Sequence, residues 1–455
     1  MGCAAARTGW ERQQHRVMRW FRITSLGQWL TGWAAVALTA HAAEPWTLAR
    51  ALDQALAHNP DARVAVQRIA AAQAGLEQAN SAVWPKLQFQ SSYTRTDNPM
   101  FSFGNILNQQ AFSPSINFNQ VPDTDDLNVK GLVTVPLYAG GQISAGRTAA
   151  KANTEVARQN AEAVRNALAF EVARVFHTVL KTREFIRAAE SVVKDYETNL
   201  AIANHRFQAG TLLRADVLDV EVRLAQARED LVRARNANEL ARSALRNLLG
   251  LDPGDFDVAD AAPAVAVPAT DGPSHRAELV ASHQRMLAAE AGVRQSKGGY
   301  QPSLSAFGSL DYDYGWRTQG DGESYTAGVL LQWNLWDGKL TRGKVHAARA
   351  DLETAREEDR KLRLGLELEA EQARLNLKDA SERLEVTAKS VALAAESADL
   401  TRARFEQGLA IPTQLIDAET ALTAARVRRA EAETDQRIAV AALRKALGLP
   451  QLDAK

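Results

Sequence analysis

Cysteine is almost absent from this sequence, and the only one, Cys3, lies near its start. A cysteine that receives a lipid anchor follows the apolar run of its signal, whereas Cys3 precedes the first apolar run, so we expect no lipid anchor. From Met18 the chain has basic residues, a moderately apolar run and Ala40-His41-Ala42, which is typical of a cleaved secretory signal. We therefore expect translation to begin at Met18, a signal peptide at 1–42, and an exported chain without disulfides.

An excess of charge is also lacking, since 54 basic residues balance 54 acidic ones. Removing 1–42 takes away five basic residues and one acidic residue, which leaves a net charge of −4. Such a chain has no electrostatic footprint for nucleic acid, so no nucleic-acid partner is expected. After the signal, no run approaches the roughly 18–20 apolar residues of a membrane helix. Any crossing of a membrane must be made by strands.

Motifs of known enzyme chemistry are missing as well. No serine or threonine lies in a nucleophile elbow. The histidines after the signal have no metal-ligand spacing, and we expect them on helix surfaces: His58, His177, His205, His275, His283 and His346. We therefore predict no catalysis, no cofactor and no bound metal.

The chain contains one structural unit twice. Residues 135–251, shifted by 198, coincide with 333–449 without a gap, which indicates a duplicated unit. Upstream the offset is 217, so the first copy has 19 extra residues between Pro85 and its next strand. This division predicts the following segments: a signal at 1–42, a first repeat at 43–251, a linker at 252–274, a second repeat at 275–449 and a tail at 450–455.

Glycine and proline are absent from 147–209, which is rich in strong helix formers. Apolar residues recur there every seven positions, which predicts a helix that supercoils with a partner. At about 1.5 Å per residue this helix would span on the order of 100 Å. The pattern restarts after Gly210 and, in the second copy, after Gly408, so each glycine is expected at the turn of a helical hairpin.

Between Pro85 and Gly140, and again between Pro302 and Gly338, apolar and polar residues alternate. Segments of about ten alternating residues are typical of membrane β-strands. Tryptophans near the strand ends match the aromatic belt of membrane proteins: Trp84, Trp316, Trp333 and Trp336. A soluble antiparallel sheet with buried tryptophans is the alternative. The first hairpin loop, 96–126, is long, and its counterpart at 315–324 is short.

Two hairpins supply four strands, which cannot close a barrel, and open edges in lipid would leave backbone groups unsatisfied. Three chains would supply twelve strands, within the usual range of membrane barrels. The predicted fold class is therefore mainly α with transmembrane β: long coiled-coil hairpins and four strands per chain, assembled as a trimeric 12-stranded barrel above a periplasmic α-helical tunnel.

Four motifs resemble the TolC-like outer membrane efflux family. They are Pro-Leu-Tyr-x-Gly-Gly at 136–141, Arg-Phe-x-x-Gly at 206 and 404, Leu-Gly-Leu at the end of both copies, and a pattern near the front: Leu48, Ala51, Leu52, Ala55, Leu56, Asn59 and Pro60. The resemblance runs from about Trp46 to Leu449. It implies a homotrimer in outer membrane lipid of a Gram-negative bacterium, with a long periplasmic portion. Its partners would be a periplasmic adaptor and an inner-membrane pump of the RND or ABC type.

The function that this resemblance implies is an exit duct of a tripartite efflux or type I secretion system. Pumps that expel drugs or metal ions and systems that export a protein both stay open. A different class of function, a non-catalytic periplasmic coiled-coil scaffold with a small soluble sheet, is the alternative.

Acidic residues just after the first turn are candidates for the periplasmic entrance of the duct. Asp216 and Asp219 lie on neighbouring positions of one helix face, and threefold symmetry would make each a ring. The family has such an Asp-x-x-Asp pair in its second copy, where this chain has Gln414 and Asp417. The predicted gate is therefore Asp216, Asp219, Gln414 and Asp417. The alternative is that the first two acids only stabilise a helix N-terminus.

The hairpin turns are candidate docking positions for the adaptor, because in the family the hairpin tips meet the adaptor's tips. Their glycines are first of all turn residues. The predicted docking set is Arg206, Gly210, Thr211, Arg404, Gly408 and Leu409.

Overall fold

The computed structural model describes residues 45–452 apart from 118, 253, 255, 261–265, 270–271 and 408. The expected signal peptide with its start at Met18, the turn residue Gly408 and the end of the tail lie outside the described residues. Within them the chain forms helices α1 Leu48–His58, α2 Pro60–Ser81, α3 Pro99–Asn108, α4 Gln142–Gln208, α5 Arg214–Leu248, α6 Ala277–Lys297, α7 Leu340–Glu406 and α8 Pro412–Leu447. The strands are β1 Lys86–Thr96, β2 Thr124–Ala139, β3 Ser303–Gly315 and β4 Gly320–Gln332.

The two longest helices, α4 and α7, have 67 residues each. At about 1.5 Å per residue each is on the order of 100 Å long. Each returns through a shorter helix, α5 and α8, which packs along it. The buried residues of α4 include most of the predicted heptad seam: Leu168, Val172, Val175, Val179, Thr182, Tyr196 and Ala203. The burial of a seven-residue pattern is what holds each hairpin together.

Glycines end the helices where the backbone must turn left-handed. Gly210 has a φ of 74° and follows α4, and Gly448 has a φ of 76° and follows α8. Gly250 has a φ of 65° after α5. Residues with a side chain adopt this region at a cost, so these positions fix where each hairpin turns or stops.

The four strands form one antiparallel sheet in the order β1-β2-β3-β4. Each hairpin is paired along its length, and β2 pairs β3 with one irregularity between Pro136 and Tyr138. Because the sheet is open, β1 and β4 are edge strands. The helices α4 and α7 follow β2 and β4, two strands that run in the same direction, so both of these helices start from the same end of the sheet.

The sheet has one apolar face and one polar face. The register places Phe89 opposite Gly131, Gly131 opposite Leu310, and Leu310 opposite Tyr325, all on one face. The neighbouring positions on the other face are mainly polar, and Lys130 there pairs with Asp311 at 3.3 Å. Many apolar side chains are exposed: Leu87, Phe89, Tyr93, Leu310, Tyr325, Val329 and Leu331. The alternation in the sequence thus becomes two chemically different faces.

The core of the first hairpin extends to α1, which packs on α4. In this extended core Leu48 and Leu52 pack with Val172 and Phe176, all at most 6% exposed. The segment expected to be only a linker contributes to this core. Its Phe256 and Val258 are buried, and Trp46 forms a parallel bridge with Val258. The linker therefore fastens the front of the chain to the first hairpin.

Two expectations were wrong. His177 is only 5% exposed, not on a helix surface, because α4 is covered by several helices and not by one partner. The 96–126 loop contains the helix α3, and β2 already begins at Thr124.

Among the helices of the described residues, not one combines the length and the apolar character that a membrane crossing needs.

Candidate functional site

The returning helices of the two hairpins begin in the same way. In α5 the carboxylate of Asp216 accepts a hydrogen bond of 3.3 Å from the backbone N–H of Leu213. In α8 the side-chain oxygen of Gln414 accepts one of 3.2 Å from the backbone N–H of Ile411. Both side chains satisfy a backbone donor that a helix start otherwise leaves without a partner. Asp216 and Gln414 are therefore capping residues, whatever further role they have.

Asp219 and Asp417, the predicted acids one helical turn further on, both form ion pairs with the same arginine. The Arg223 guanidinium lies 3.1 Å from a carboxylate oxygen of Asp219 on its own helix and 3.6 Å from one of Asp417 on α8. Arg223 thus joins the two hairpins of one chain by charge. Of the four predicted gate residues, the structure brings Asp219 and Asp417 to one cation and leaves Asp216 and Gln414 at separate helix starts.

Arg223 is not among the residues predicted from the sequence. Its spacing of four from Asp219 is a recognisable helix ion pair. The second partner, Asp417, is 194 positions away along the chain, and only the packing of α8 against α4 brings it near. Because the arginine is shared, the two acids are not bare negative charges within one chain.

A polar seam continues along α4 and α8 beside this bridge. Tyr196 and Thr420 share a hydrogen bond of 3.0 Å between their hydroxyls. Asn199 donates to the Glu419 carboxylate at 2.9 Å, and Arg402 lies 3.1 Å from the same carboxylate. These polar contacts lie beside the apolar packing of Ile416, which is 1% exposed, so α8 is held to α4 in part by hydrogen bonds for which water can compete.

A groove of about 590 Å³ lies between α4, α5 and α8 next to this seam. Small side chains such as Ala188 and Ala234 line it, and Asp195 and Arg223 lie at its wall. Burial raises the pKa of the Asp195 carboxyl, and the nearby charge of Glu419 raises it further. The groove exists because alanines leave space between three helices that also carry charge.

The hairpin tips carry the predicted docking residues. Arg206 is half-buried because its guanidinium stacks 4.1 Å from the centre of the Phe405 ring. Thr211 donates a hydrogen bond of 3.0 Å to the backbone oxygen of Arg206, which closes the turn at Gly210. Arg404 and Leu409 are exposed, and Gly408 lies outside the described residues. The docking set therefore contains both exposed positions and positions already used to build the tip.

Two exposed apolar residues at the tips are also absent from the predicted docking set. Leu213 is 72% exposed and Ile411 is 60% exposed. They precede α5 and α8 at matching positions. Their signal in the sequence is a large apolar residue where helix starts usually have a polar one.

The four predicted belt tryptophans lie at both ends of the sheet. Trp84 precedes β1, while Trp333 and Trp336 follow β4, at the end where the long helices begin. Trp316 lies at the other end, in the β3–β4 turn, with its ring centre 5.6 Å from that of Tyr93. All four are more than half exposed.

No group of three or more potential metal ligands gathers within the described parts of the chain.

Comparison with known families gives one match. The sequence model of the family described as outer membrane efflux protein matches residues 51–251 and 274–449 of this chain. The two matched stretches leave out the segment 252–273 between the hairpins. No curated protein matches the chain.

Several solved structures share the fold. The outer-membrane channel OprN is 21% identical, with a TM-score of 0.77, and the match covers 88% of this chain and 89% of that one. The Campylobacter jejuni CmeC outer membrane channel is 16% identical, with a TM-score of 0.77 and coverage of 90% and 87%. The Vibrio cholerae outer membrane protein VceC is 17% identical, with a TM-score of 0.75 and coverage of 88% and 96%.

Proposed function

The chain belongs to the outer membrane efflux protein family, and we propose that three copies of it form the exit duct of an efflux system. One observation carries the trimer: the four-stranded sheet has two open edges and an apolar face. In lipid such edges require partners, and three chains supply twelve strands, within the usual range of membrane barrels. The apolar face would contact lipid, the polar face would line the lumen, and the helical hairpins would extend the lumen into the periplasm.

The partners follow from this arrangement. A duct without an energy source needs an inner-membrane pump, of the RND or ABC type, and a periplasmic adaptor that joins the pump to the hairpin tips. The exposed positions Arg404, Leu409, Leu213 and Ile411 are the adaptor contacts we propose, together with the turn at Gly210, Thr211 and Gly408. Apolar side chains exposed at a tip are the kind that a partner covers.

The periplasmic entrance is proposed at the level of Asp216, Asp219 and Asp417. Threefold symmetry would repeat each carboxylate around the axis, where rings of acids favour cations. Replacing all three by Ala should change both single-channel conductance and cation selectivity. Unchanged values for both would place the entrance elsewhere.

The experiment that tests the duct is the mass of the detergent-solubilised protein by light scattering, corrected for bound detergent, followed by conductance in planar bilayers. A trimer that conducts supports the duct. A monomer, or a protein that washes off membranes without detergent, would favour a periplasmic coiled-coil scaffold. Tip cysteines at Leu213 and Leu409 then test the adaptor by crosslinking, with a cysteine at exposed Val232 in mid-helix as the matched control.

A further inference from the structure

The segment between β1 and β2 differs from its counterpart in the second hairpin. Only residues 316–319 join β3 to β4, whereas 97–123 join β1 to β2 and include α3. The helix has a defined start, since the Asn98 side chain accepts a hydrogen bond of 3.1 Å from the backbone N–H of Met100. It also has a defined underside, because Ser102, Ile106 and Gln109 are at most 2% exposed. The extra residues of the first copy are thus a folded element.

Three glycines show on which face of the sheet this element lies. Gly315, Gly320 and Gly322 occupy polar-face positions, since the register pairs Gly322 with Asp313 and Gly315 with Gly320. A Cβ at Gly322 would overlap the backbone oxygen of Asn108, and one at Gly315 or Gly320 would overlap atoms of Gln109. The C-terminal end of α3 therefore lies directly on the polar face at the end of the sheet farthest from the long helices.

Gln109 fastens the helix to that face. It is fully buried, and its side-chain amide donates to the backbone oxygen of Asp125 at 2.8 Å and to the Asp126 carboxylate at 3.0 Å. Its side-chain oxygen accepts a hydrogen bond from the hydroxyl of Thr318 in the β3–β4 turn. Asn105 adds a bond of 3.1 Å to Thr124. These hydrogen bonds to β2 and to the β3–β4 turn fix the position of α3 on the sheet.

The side of α3 away from the sheet is apolar. Met100 is 78% exposed, Phe101 is 66% exposed and Leu107 is 49% exposed. This exposed apolar side is unusual, because the apolar stripe of an ordinary surface helix faces the core.

We propose that α3 is a fixed collar inside the outer mouth of the channel, which sets the largest solute that can pass there. This rests on the proposed function, because only in the closed barrel does the polar face line the lumen. Three copies of α3 would then project into one opening, with Met100, Phe101 and Leu107 as its apolar rim. The narrowing at the outer end is separate from the entrance at the hairpin tips.

Size-dependent labelling from outside the cell tests this collar. In a Cys3→Ser background, Thr326→Cys puts one thiol on the polar face, four residues along β4 from Gly322. Its neighbour Ala327→Cys puts one on the apolar face. Intact cells are treated with a small charged methanethiosulfonate or with maleimides on polyethylene glycol chains of increasing length. We expect the small reagent to modify Thr326→Cys and the long ones to be excluded. Deletion of 99–112, bridged by a short Gly-Ser turn, should remove that exclusion.

The outcomes separate the collar from the duct. If Thr326→Cys reacts with long and short reagents alike while α3 is present, the collar is wrong and the duct stands. If the charged reagent modifies Ala327→Cys and not Thr326→Cys, the face assignment is wrong, and with it the proposed barrel. Reaction of the small reagent at Thr326→Cys alone, with exclusion lost on deletion, supports both.

Because the deletion variant could fail to assemble, a single substitution provides a second test of the collar. Gly322→Ala places a Cβ against Asn108 and should displace α3, so longer reagents should reach Thr326→Cys. Gly308→Ala is the matched control, because the nearest atom to its Cβ would be 3.9 Å away. Trimer yield on a gel checks that each variant assembles. Unchanged exclusion in an assembled Gly322→Ala trimer would count against the collar.

Discussion

Arg206 of the first hairpin stacks on Phe405 of the second, with 4.1 Å from the guanidinium carbon to the ring centre. Arg206 also donates a hydrogen bond of 3.3 Å to the backbone oxygen of Phe405. Both belong to the Arg-Phe-x-x-Gly motif that the chain contains twice. The copies are used differently, since Phe405 is 5% exposed and its counterpart Phe207 is 40% exposed. The arginine of the first copy and the phenylalanine of the second copy therefore contact each other, and this contact joins the two tips.

Loss of this stack should loosen the tips. Arg206→Ala removes a cation–π contact worth about 0.5–2 kcal/mol, and Arg206→Lys should recover only part of it. We expect the opening free energy of amides near residues 200–213 and 400–412, measured by hydrogen exchange, to fall by about 1 kcal/mol. Arg404→Ala, at the exposed counterpart, is the control and should change it by less than about 0.5 kcal/mol. Equal effects of both substitutions would mean that the stack does not hold the tips.

The Arg223 bridge should restrain the periplasmic end of the duct. Arg223→Gln keeps much of the side-chain volume and removes the charge shared by Asp219 and Asp417, so we expect a higher single-channel conductance. Asp417→Asn should act in the same direction. Arg228→Gln is the control, because Arg228 pairs with Glu197 within the first hairpin at 2.9 Å and does not reach α8. A conductance unaffected by Arg223→Gln would show that the bridge does not limit the opening.

His177 should make the protein sensitive to acid. Burial, and to a lesser degree the charge of Arg437, lowers the pKa of His177 from 6.5 to about 4. In the unfolded chain the imidazole takes up a proton near pH 6.5, whereas the folded chain takes it up only near pH 4. Stability is therefore lost as the pH falls through this interval, by up to about 3 kcal/mol per chain.

The measurement is the thermal dissociation of the purified protein between pH 7.5 and pH 4. His177→Leu should reduce the drop in dissociation temperature across that range. His205→Leu, at an exposed position of the same helix, should leave the drop unchanged. If His177→Leu retains the full pH dependence, the acid sensitivity arises elsewhere.

The glycines of the two Leu-Gly-Leu motifs should not tolerate alanine. At Gly448, with a φ of 76°, a Cβ would lie 2.7 Å from the backbone carbonyl of His275. At Gly250 it would lie 2.9 Å from the backbone oxygen of His58. Each Gly→Ala variant should lose at least about 2 kcal/mol, because strain and overlap add.

The control for this prediction is Gly365→Ala. Gly365 lies exposed inside α7 with nothing near its Cβ position, so alanine there should stabilise the helix by about 0.5–1 kcal/mol. The dissociation temperatures of the three Gly→Ala variants test this prediction. Similar stabilities for all three would show that the motif glycines are not required by their backbone geometry.

Local periodicity was sufficient to predict the strands and long helices. Phe89, Gly131 and Leu310 lie on one face as the alternation indicates, and Val172 and Val179 are buried as the heptad indicates. The four-stranded sheet and the mainly helical fold were confirmed, as was the family. Alternation and heptads depend only on residues a few positions apart, so each strand or helix can be predicted from its own segment of sequence.

Long-range contacts could not be predicted in the same way. α3 depends on Gln109, whose side-chain oxygen is bonded by Thr318 from the second hairpin, 209 positions away. His177 is buried because helices other than its hairpin partner cover α4. The roles of the predicted gate, docking and belt residues stay predictions, since a single chain does not contain the axis around which they would be arranged.

The two unpaired edges of the sheet have a consequence for mixtures of chains. A chain damaged at β4 still offers an intact β1 to a neighbour, so it can enter an assembly and prevent it from closing. With equal amounts of damaged and normal chains and random mixing, about one in eight of the proposed trimers would contain normal chains alone. A lesion at one strand edge would then act dominantly, and a cell carrying both genes would lose most of its channels.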